Sequence, residues 1–525
     1  MNVAIPNMAK PARGGAILGS LAVLFAGSLA TLPAAWAQAA PMLAGVVVDF
    51  DRPQGKLLRT ERVNNFARAS AFIEQRPGDV RFYNEQGLHG EIYRVWINDS
   101  VYDEKTGAYD YSQLLPYLTD ASNLSDSILM NLQPAGLIQE HASPAQIKPV
   151  IQTIIRDLKQ KFPKIKYVEA FNEPDYNFAK VIEAGDLYRY YVPFYEAVHQ
   201  VNTQLRPEVP LQVGGPAFMQ FNLPWLRAFL DAFEADASPD KRLDFISYHA
   251  YGYFLEGGGA PGQLRPYHFF KGDPSEVASQ RGALDMELRS RGLDTNIPSF
   301  LTEMGIYPGP SFDDPADPRP DYLRQAAGMA SLAYWYMNDP KNVPFNWVVR
   351  HRAEERKDQL VTRVSNSKEV PSGLFTPYGN MMLMMSRMKA TRVAAVSDGI
   401  KEGKGVYAIA AKDATGLSVL LWNYQHTNTV SFRADLTLTH VPKAMRNGAI
   451  RETVFRIDPR TSNFFSDPQR ANLQQIADRM ITVRHTYRES IELEPNSLQL
   501  ILLQQPGAQA ATNVSNSEIS GGEIR

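Results

Sequence analysis

Short apolar runs alternate with longer segments of helical period over the first 390 residues of the chain. The earliest run, 43–50, places Val46, Val47 and Val48 in series, which is typical of a strand buried on both faces of a parallel sheet. A helical stretch at 63–73 follows it. Seven further runs predict strands at 92–97, 128–132, 167–171, 211–214, 245–248, 299–302 and 345–349.

Helical signals fill the segments between these runs. In the clearest helix, Ser143 is a candidate N-cap, Pro144 takes the first helical position, and apolar residues recur from 147 to 158. Further helices are predicted at 187–201, 223–233, 277–288, 322–337 and 378–388, and the methionine-rich run 381–385 is interpreted as core. Eight strand–helix pairs in order require parallel strands, so the sequence predicts an α/β fold with a (β/α)₈ TIM barrel.

Past residue 390 the pattern changes to short alternating segments separated by turn residues. They lie at 405–411, 417–423, 429–438, 452–457, 480–485 and 497–503. This alternation predicts a C-terminal antiparallel β-sandwich domain packed on the barrel. We therefore divide the chain into a barrel at 38–390, a sandwich at 391–505 and a polar, disordered tail at 506–525.

The N-terminus has the pattern of a targeting segment. Lys10 and Arg13 precede an apolar run at 16–36, and Ala35-Trp36-Ala37 is a small-x-small cleavage pattern. This predicts a secretory signal peptide at 1–37 and an exported protein, periplasmic or extracellular. The alternative is an uncleaved membrane anchor, which Pro33 and the small residues disfavour. No later segment is long and apolar enough to span a bilayer, so the mature chain is expected to have no membrane span.

Composition narrows the classes of function. The chain of 525 residues has a net charge of -2 and no block of like charge, which argues against nucleic acid as a partner. It contains no cysteine, so disulfides, thiolate nucleophiles and cysteine-bound metals are excluded. Its nine histidines are scattered, and none forms a metal-ligand pair of the H-x-x-x-H type. We expect no metal and no cofactor.

Functional side chains of a (β/α)₈ barrel gather where the strands end. Two of these ends carry a glutamate, Glu173 after the fourth strand and Glu303 on the seventh. Two carboxylates facing each other across the barrel mouth suit glycoside hydrolysis, in which one protonates the leaving oxygen and the other attacks the sugar. Each glutamate alone is equally well explained as a solvated loop residue, and their joint placement favours a catalytic pair.

Five further residues at strand ends complete the candidate site. Arg94 is a positive partner for the ionised nucleophile, with any local acid as the alternative. Tyr251 is a hydrogen-bond donor to that carboxylate, and His249 and Asn172 are expected to hold sugar hydroxyls. Trp347 is either a flat floor for a sugar ring or a core residue.

At these residues the chain resembles the clan A retaining glycoside hydrolases, and within the clan it looks most like glycoside hydrolase family 39. The resemblance covers about residues 44–505. It implies that Glu173 is the acid/base with Asn172 beside it and that Glu303 is the nucleophile. His249 and Tyr251 match the His-x-Tyr of the family's sixth strand. The family includes β-xylosidases, α-L-iduronidases and relatives that cut bacterial exopolysaccharides.

The main hypothesis is thus an exported retaining glycosidase that acts on a polysaccharide or oligosaccharide, including a bacterial exopolysaccharide. A second hypothesis is an exo-acting β-xylosidase-like enzyme on short chains. A third is a non-catalytic sugar-binding barrel, which the presence of both carboxylates disfavours. The sugar and the linkage stay open at this point, as does endo versus exo cleavage.

Overall fold

Two sheets organise the chain, a closed parallel barrel and a ten-stranded, mainly antiparallel sheet. The computed structural model describes residues 40–66, 77–251, 273–306, 323–347, 374–426, 429–446 and 448–505. The chain divides into two compact units, Met1–Ala40, of which only Ala40 is described, and Pro41–Arg525, which holds both sheets. The predicted signal peptide and the predicted tail therefore lie outside the described residues.

Eight parallel strands close the barrel. They are β2 (Val63–Asn65), β3 (Gly90–Asn98), β6 (Ser125–Gln133), β7 (Ile165–Ala170), β8 (Gln212–Phe218), β9 (Phe245–Ala250), β10 (Ser299–Met304) and β11 (Asn342–Asn346). Three other strands in this part of the chain are not in the barrel: β1 (Met42–Lys56) belongs to the second sheet, and β4 (Tyr102–Asp103) and β5 (Ala108–Tyr109) form a small hairpin. Each barrel strand pairs with the next in sequence, and Asn346 of β11 pairs with Asn64 of β2 to complete the ring. The predicted barrel is confirmed.

The described helices follow the predicted alternation. They are α1 (Pro77–Glu85), α2 (Leu115–Leu124), α3 (Ala135–Gln139), α4 (Pro144–Lys161), α5 (Pro174–Asn177), α6 (Leu187–Leu205), α7 (Leu223–Ala235), α8 (Glu276–Ser290), α9 (Leu323–Tyr336) and α10 (Pro377–Ser386). The predicted start of α4 is confirmed by a capping box, in which the Ser143 backbone N–H donates to Gln146 Oε1 at 2.8 Å. The methionines of α10 are buried, as the sequence indicated.

The prediction that β1 is the first barrel strand is wrong. It pairs antiparallel with residues 391–397 and parallel with residues 432–439, both in the other sheet. The valine run misled because only alternate residues are buried: Val46 and Val48 are fully buried, whereas Val47 is 48% exposed. The first barrel strand is instead Val63–Asn65, at the start of the predicted helix, and residues 67–73 of that prediction lie outside the described residues.

Aromatic rings fill the lower interior of the barrel. One residue from each of seven strands meets there: Val63, Ile92, Leu129, Tyr167, Phe245, Phe300 and Phe345. The rings of Phe245 and Phe300 stack with their centroids 4.4 Å apart. Strand β8 contributes Gly214, where an added Cβ would come within 2.2 Å of the Phe245 carbonyl oxygen, so a side chain cannot fit. This layer closes the barrel beneath the polar residues described below.

The second sheet folds over on itself. Beside β1 it contains β12 (Thr391–Ser397), β13 (Ile400–Lys401), β14 (Lys404–Asp413), β15 (Gly416–Tyr424), β16 (Phe432–Thr439), β17 (Ala449–Ile457), β18 (Gln474–Thr482), β19 (Tyr487–Leu493) and β20 (Leu498–Gln504). Strands β18 and β19 lie at opposite edges of this sheet. Their side chains nevertheless meet, since Arg479 Nη2 of β18 lies 3.0 Å from Glu489 Oε1 of β19. Residues of both halves share one core, so the predicted sandwich is confirmed.

Some strand predictions in the sandwich differ from the structure. Strand β18 begins at Gln474 rather than at the predicted Met480. The prediction missed this start because most side chains of β18 are exposed, so its sequence lacks apolar alternation. Strands β12 and β19 were not predicted. The division of the chain at residue 390 stays a prediction.

Barrel and sandwich meet through α9 and α10. The indole N–H of Trp422 on β15 donates to Ser331 Oγ on α9 at 2.8 Å. Arg387, directly after α10, places its guanidinium carbon 4.4 Å from the ring centroid of Phe455 on β17. Among the helices that the structure describes, none is long and apolar enough to cross a membrane.

A buried carboxyl group makes the stability of the barrel depend on pH. Glu61, just before β2, is almost fully buried, and this burial raises its pKa to about 6 from 4.5 although Arg59 lies 3.6 Å away. The folded protein therefore holds a proton that the unfolded chain releases above pH 4.5. The stability from this group is complete below that pH and is lost as pH rises through 6.

We expect Glu61→Gln to raise the free energy of unfolding by about 2 kcal/mol at pH 7.5, with the gain vanishing near pH 4. Urea unfolding of the variant and the native protein across this range measures the difference. Glu208→Gln, at an exposed loop position, is the control and should change little at any pH. A Glu61→Gln protein that is less stable at pH 7.5 would contradict the expectation.

Candidate active site

Backbone conformations of low intrinsic stability present the first glutamate at the barrel mouth. After β7 ends at Ala170, Phe171 and Glu173 both have left-handed conformations, with φ of 67° and 50°. Non-glycine residues adopt this region rarely, at a cost of about 1–3 kcal/mol each, so the surrounding structure must hold them there. The Glu173 backbone N–H donates to the Ala217 carbonyl at 2.7 Å, which holds the turn.

A register shift in β10 places the second glutamate. Leu301 pairs with Tyr248 of β9, but Glu303, two residues further along β10, pairs with His249, only one residue further along β9. Such a bulge re-aims side chains. Glu303 is consequently buried, with 7% of its surface exposed, and it faces the histidine.

Arg94 of β3 joins the ends of three strands. Its Nε donates to Glu169 Oε2 at 2.7 Å, its Nη1 to Glu303 Oε1 at 2.9 Å and its Nη2 to Asn172 Oδ1 at 2.7 Å. The guanidinium is fully buried. Burial disfavours its charge, but the negative charges of Glu169 and Glu303 outweigh burial and raise the pKa of Arg94 above its ordinary value. The arginine therefore stays cationic in the core.

His249 contacts both candidate catalytic carboxylates, and Tyr251 contacts Glu303. His249 Nδ1 lies 2.9 Å from Glu173 Oε1 and 3.7 Å from Glu303 Oε2, and the Tyr251 hydroxyl donates to Glu303 Oε2 at 3.0 Å. Burial lowers the pKa of His249, but Glu303 and Glu173 outweigh burial and raise that pKa above 6.5. The ring therefore carries a positive charge in this site more readily than a free histidine does.

The separation of the carboxylates limits the chemistry of the site. One carboxylate oxygen of Glu173, one of Glu303 and one ring nitrogen of His249 all lie within 4.8 Å of one another. Carboxyl groups about 5–5.5 Å apart are typical of retaining glycosidases, whereas inverting enzymes need about 6.5–9.5 Å to admit a water molecule.

One imidazole and two carboxylates are also a set of ligands for a divalent cation. In this structure the same atoms bond to one another and to Arg94 and Tyr251, and the expectation of no metal stays a prediction.

An aromatic wall borders the pair. Trp96, Tyr251 and Trp347 form one cluster, with the rings of Trp96 and Trp347 edge to face and their centroids 5.6 Å apart. The guanidinium carbon of Arg94 lies 4.8 Å from the centroid of the Trp96 ring. Each of the three aromatic residues keeps only 6–7% of its surface exposed, so the wall is a packed part of the site.

The structure brings all seven residues of the sequence-predicted site together: Arg94, Asn172, Glu173, His249, Tyr251, Glu303 and Trp347. Asn172 lies against Arg94 rather than projecting alone, and its backbone carbonyl accepts from Asn177 Nδ2 at 2.9 Å. The roles assigned to these residues stay predictions.

Sequence reasoning missed three buried polar residues of the network around Arg94: two contact Arg94 directly, and the third contacts Glu169. Asn65 Oδ1 accepts from Arg94 Nη1 at 3.4 Å, and Asn131 Nδ2 donates to Glu169 Oε2 at 2.8 Å. Asn131 also donates to the Phe171 carbonyl, on the turn that carries the site. Asn65, Asn131 and Glu169 are all buried.

Strand periodicity was the signal for two of the missed residues. Side chains two positions apart on a strand share a face. Tyr167 and Leu129 belong to the apolar layer inside the barrel, so Glu169 and Asn131 lie on the same inner face, one step nearer the mouth. The sequence alone does not show which of the two faces is the inner one.

Comparison with known proteins is consistent with this geometry. Residues 143–258 match the family model of the glycosyl hydrolase catalytic core. No curated protein sequence matches the chain at a significant level. The matched segment includes Asn172, Glu173, His249 and Tyr251.

Several solved structures share the fold over most of the chain. A glucosidase from Croceicoccus marinus is 15% identical, with 89% of this chain and 99% of that chain covered and a TM-score of 0.60. A β-xylosidase from Caulobacter crescentus is 14% identical, with 88% and 99% covered and a TM-score of 0.66. A glycoside hydrolase family 39 enzyme from Xanthomonas axonopodis pv. citri is 15% identical, with 90% and 99% covered and a TM-score of 0.63.

At these identities the structural likeness describes the fold. Together with the catalytic-core match, it confirms the resemblance to clan A glycoside hydrolases, with family 39 represented among the similar structures. The predicted enzyme class, a glycosidase, has the support of the same findings.

Arg94→Met is expected to lower the free energy of unfolding by about 3–5 kcal/mol, because it leaves Glu169 and Glu303 as uncompensated buried charges. The measurement is urea unfolding at pH 7. Arg227→Met is the matched control, since Arg227 pairs with Glu287 at 2.7 Å but is 55% exposed, and it should cost at most about 1 kcal/mol. Equal losses for the two variants would show that the buried arginine does not stabilise the strand ends.

Proposed function

We propose that the protein is an exported retaining glycoside hydrolase that cleaves O-glycosidic bonds of a polysaccharide or oligosaccharide by double displacement. The observation that carries the proposal is that one carboxylate oxygen of Glu173 lies within 4.8 Å of one carboxylate oxygen of Glu303 at the mouth of the barrel. That separation suits a direct attack by one carboxylate on the sugar. The catalytic-core match and the likeness to solved glycosidases support the reaction class.

In the first step Glu303 attacks the anomeric carbon while Glu173 donates its proton to the glycosidic oxygen. The bond between that carbon and the leaving oxygen breaks, and an ester bond to Glu303 forms. In the second step Glu173, now a carboxylate, takes a proton from water. The resulting attack on the anomeric carbon releases Glu303 as a carboxylate and gives a product with the original configuration.

The surrounding residues support both steps. Arg94 and Tyr251 donate hydrogen bonds to opposite oxygens of Glu303, which fixes the orientation of this carboxylate. His249 holds Glu173 at 2.9 Å. Asn172 is proposed to hold a sugar hydroxyl and Trp347 to line the floor of the sugar site. These steps use only side chains and water, with no cofactor.

Export is part of the proposal. Lys10 and Arg13 ahead of the apolar run 16–36, with the cleavage pattern Ala35-Trp36-Ala37, support a signal peptide at 1–37. The mature protein would then act in the periplasm or outside the cell, where bacterial exopolysaccharides are accessible substrates. N-terminal sequencing of the exported protein tests this proposal. The sequence should begin after residue 37.

A second candidate is an exo-acting β-xylosidase-like activity on short chains. It is favoured by the likeness to the β-xylosidase from Caulobacter crescentus, with a TM-score of 0.66. Digestion of a glycan panel that includes xylo-oligosaccharides, xylan and exopolysaccharides, with products analysed by mass and anomer, separates the two. Release of single xylose units from chain ends supports the second candidate, and internal cuts in a polysaccharide support the first.

Glu303→Gln should abolish turnover while preserving the fold, because the amide cannot form the glycosyl ester. A 2-fluoroglycoside with a good leaving group, of the configuration found in the glycan panel, should label Glu303 of the native protein. Peptide mapping by mass spectrometry locates the label. Labelling at another residue, or near-native activity of Glu303→Gln, would refute the assignment.

Glu173→Ala should slow hydrolysis of natural glycosides by about 10²–10⁴-fold, because their leaving groups need protonation. Aryl glycosides with acidic phenols should keep a fast first step, and azide should restore turnover since it attacks the ester without base help. Proton NMR of the first product should show the anomer of the substrate. An inverted product would refute double displacement.

A further inference from the structure

Arg94 divides one positive charge between two buried carboxylates. Its Nε bonds to Glu169 at 2.7 Å and its Nη1 bonds to Glu303 at 2.9 Å. The mechanism above gives Glu303 and Asn172 a role, but it gives none to Glu169. A fully buried carboxylate is expensive to place in a core, so its retention beside the site requires a reason.

The hydrogen bonds of Glu169 are unevenly distributed. Its Oε2 accepts both from Arg94 Nε and from Asn131 Nδ2, the latter at 2.8 Å. Its Oε1 is buried with no hydrogen-bond partner among the described residues. The arginine is the cation paired with Glu169 in that part of the chain. Glu169 therefore relies on Arg94 as its positive partner, and Glu169 in turn holds Arg94 on the side of the guanidinium that faces away from Glu303.

We propose, building on the proposed function, that Glu169 is a positioning residue that holds Arg94 through Nε and limits the share of its positive charge that reaches Glu303. The Nη1 and Nη2 atoms are then left facing Glu303 and Asn172 in a fixed orientation. A guanidinium is planar and rigid, so fixing Nε fixes the direction of the other two nitrogens.

The charges around Glu303 explain why such a limit matters. In the described part of the chain, Arg94 faces it from β3, Glu169 lies behind that arginine on β7, and His249 and Tyr251 approach from the end of β9. Glu173 contacts the same nitrogen of His249, and one of its carboxylate oxygens lies within 4.8 Å of one of Glu303. If Arg94 paired with Glu303 alone, it would hold that carboxylate more tightly in its ionised form and make it a weaker nucleophile. Glu169 offsets part of this stabilisation.

Glu169→Gln isolates the charge of this residue. A glutamine amide oxygen in the place of Oε2 keeps both hydrogen bonds, and its amino group takes the place of the unpartnered Oε1. We expect the acidic limb of the kcat/KM pH profile, which reports ionisation of the nucleophile in the free enzyme, to move down by about one pH unit. The rate of inactivation by the 2-fluoroglycoside should fall about threefold, since nucleophilicity falls with roughly half the slope of basicity.

Two further variants complete the experiment. Glu61→Gln is the matched control, another buried glutamate, placed where the chain enters the barrel, and it should leave the profile unchanged. Glu169→Asp keeps the charge but shortens the side chain, so it should move the limb by less and in the same direction while slowing inactivation through looser hold on Arg94. It also serves as the test variant if Glu169→Gln does not fold.

An acidic limb that stays in place in a folded Glu169→Gln protein overturns the proposal and leaves Glu169 with a structural role. The same holds for a folded Glu169→Asp protein with a native profile and native inactivation rate. Labelling of Glu303 in the native protein is measured in parallel. Absence of that label refutes the proposed function, whereas a labelled native protein with unchanged variants refutes the role of Glu169 alone.

Discussion

A single buried guanidinium is the constraint on which the site depends. Arg94 is fully enclosed, so its charge must be met by protein groups, and its partners come from β7, β10 and the turn after β7. Strand ends that would otherwise carry separate side chains are thereby drawn to one point. Because a charged group without partners in this position would cost several kcal/mol, the geometry of the two candidate catalytic glutamates and the integrity of the barrel are linked.

Two departures from regular structure aim the carboxylates. Left-handed residues on either side of Asn172 turn Glu173 toward His249, and the shifted register of β10 brings Glu303 opposite the same histidine. Neither feature is favourable by itself. Both rest on a layer of packed rings beneath them, in which Tyr167, Phe245 and Phe300 fill the barrel and resist collapse. The apolar layer thus supports a polar layer that is locally strained.

The second sheet connects the beginning of the described chain to its end. Strand β1 lies between β12 and β16, so residues near position 45 share a core with residues near position 490. The chain enters the sheet first, then forms the barrel, then returns to complete the sheet. Trp422 and Ser331 tie the sheet to α9, the helix between the strand that carries Glu303 and the strand that precedes Trp347.

Local signals in the sequence were sufficient to predict most of the fold. Apolar runs separated by helical segments predicted seven of the barrel strands, and Ser143 with Pro144 predicted the start of α4. The seven site residues were found in the same way, because strand ends in a parallel barrel meet at one face. These features depend on spacing along the chain, which a sequence records directly.

Tertiary structure decided what spacing does not determine. Whether β1 joined the barrel or the sheet depended on which partners covered its two faces, and a run of three valines is compatible with both. The inward direction of Glu169 and Asn131 and the division of Arg94 between two acids depended on strand register. The sequence by itself therefore determined the elements and the candidate chemistry. Pairing partners, register and the sharing of one buried charge were decided by packing, because they arise between residues that are distant along the chain.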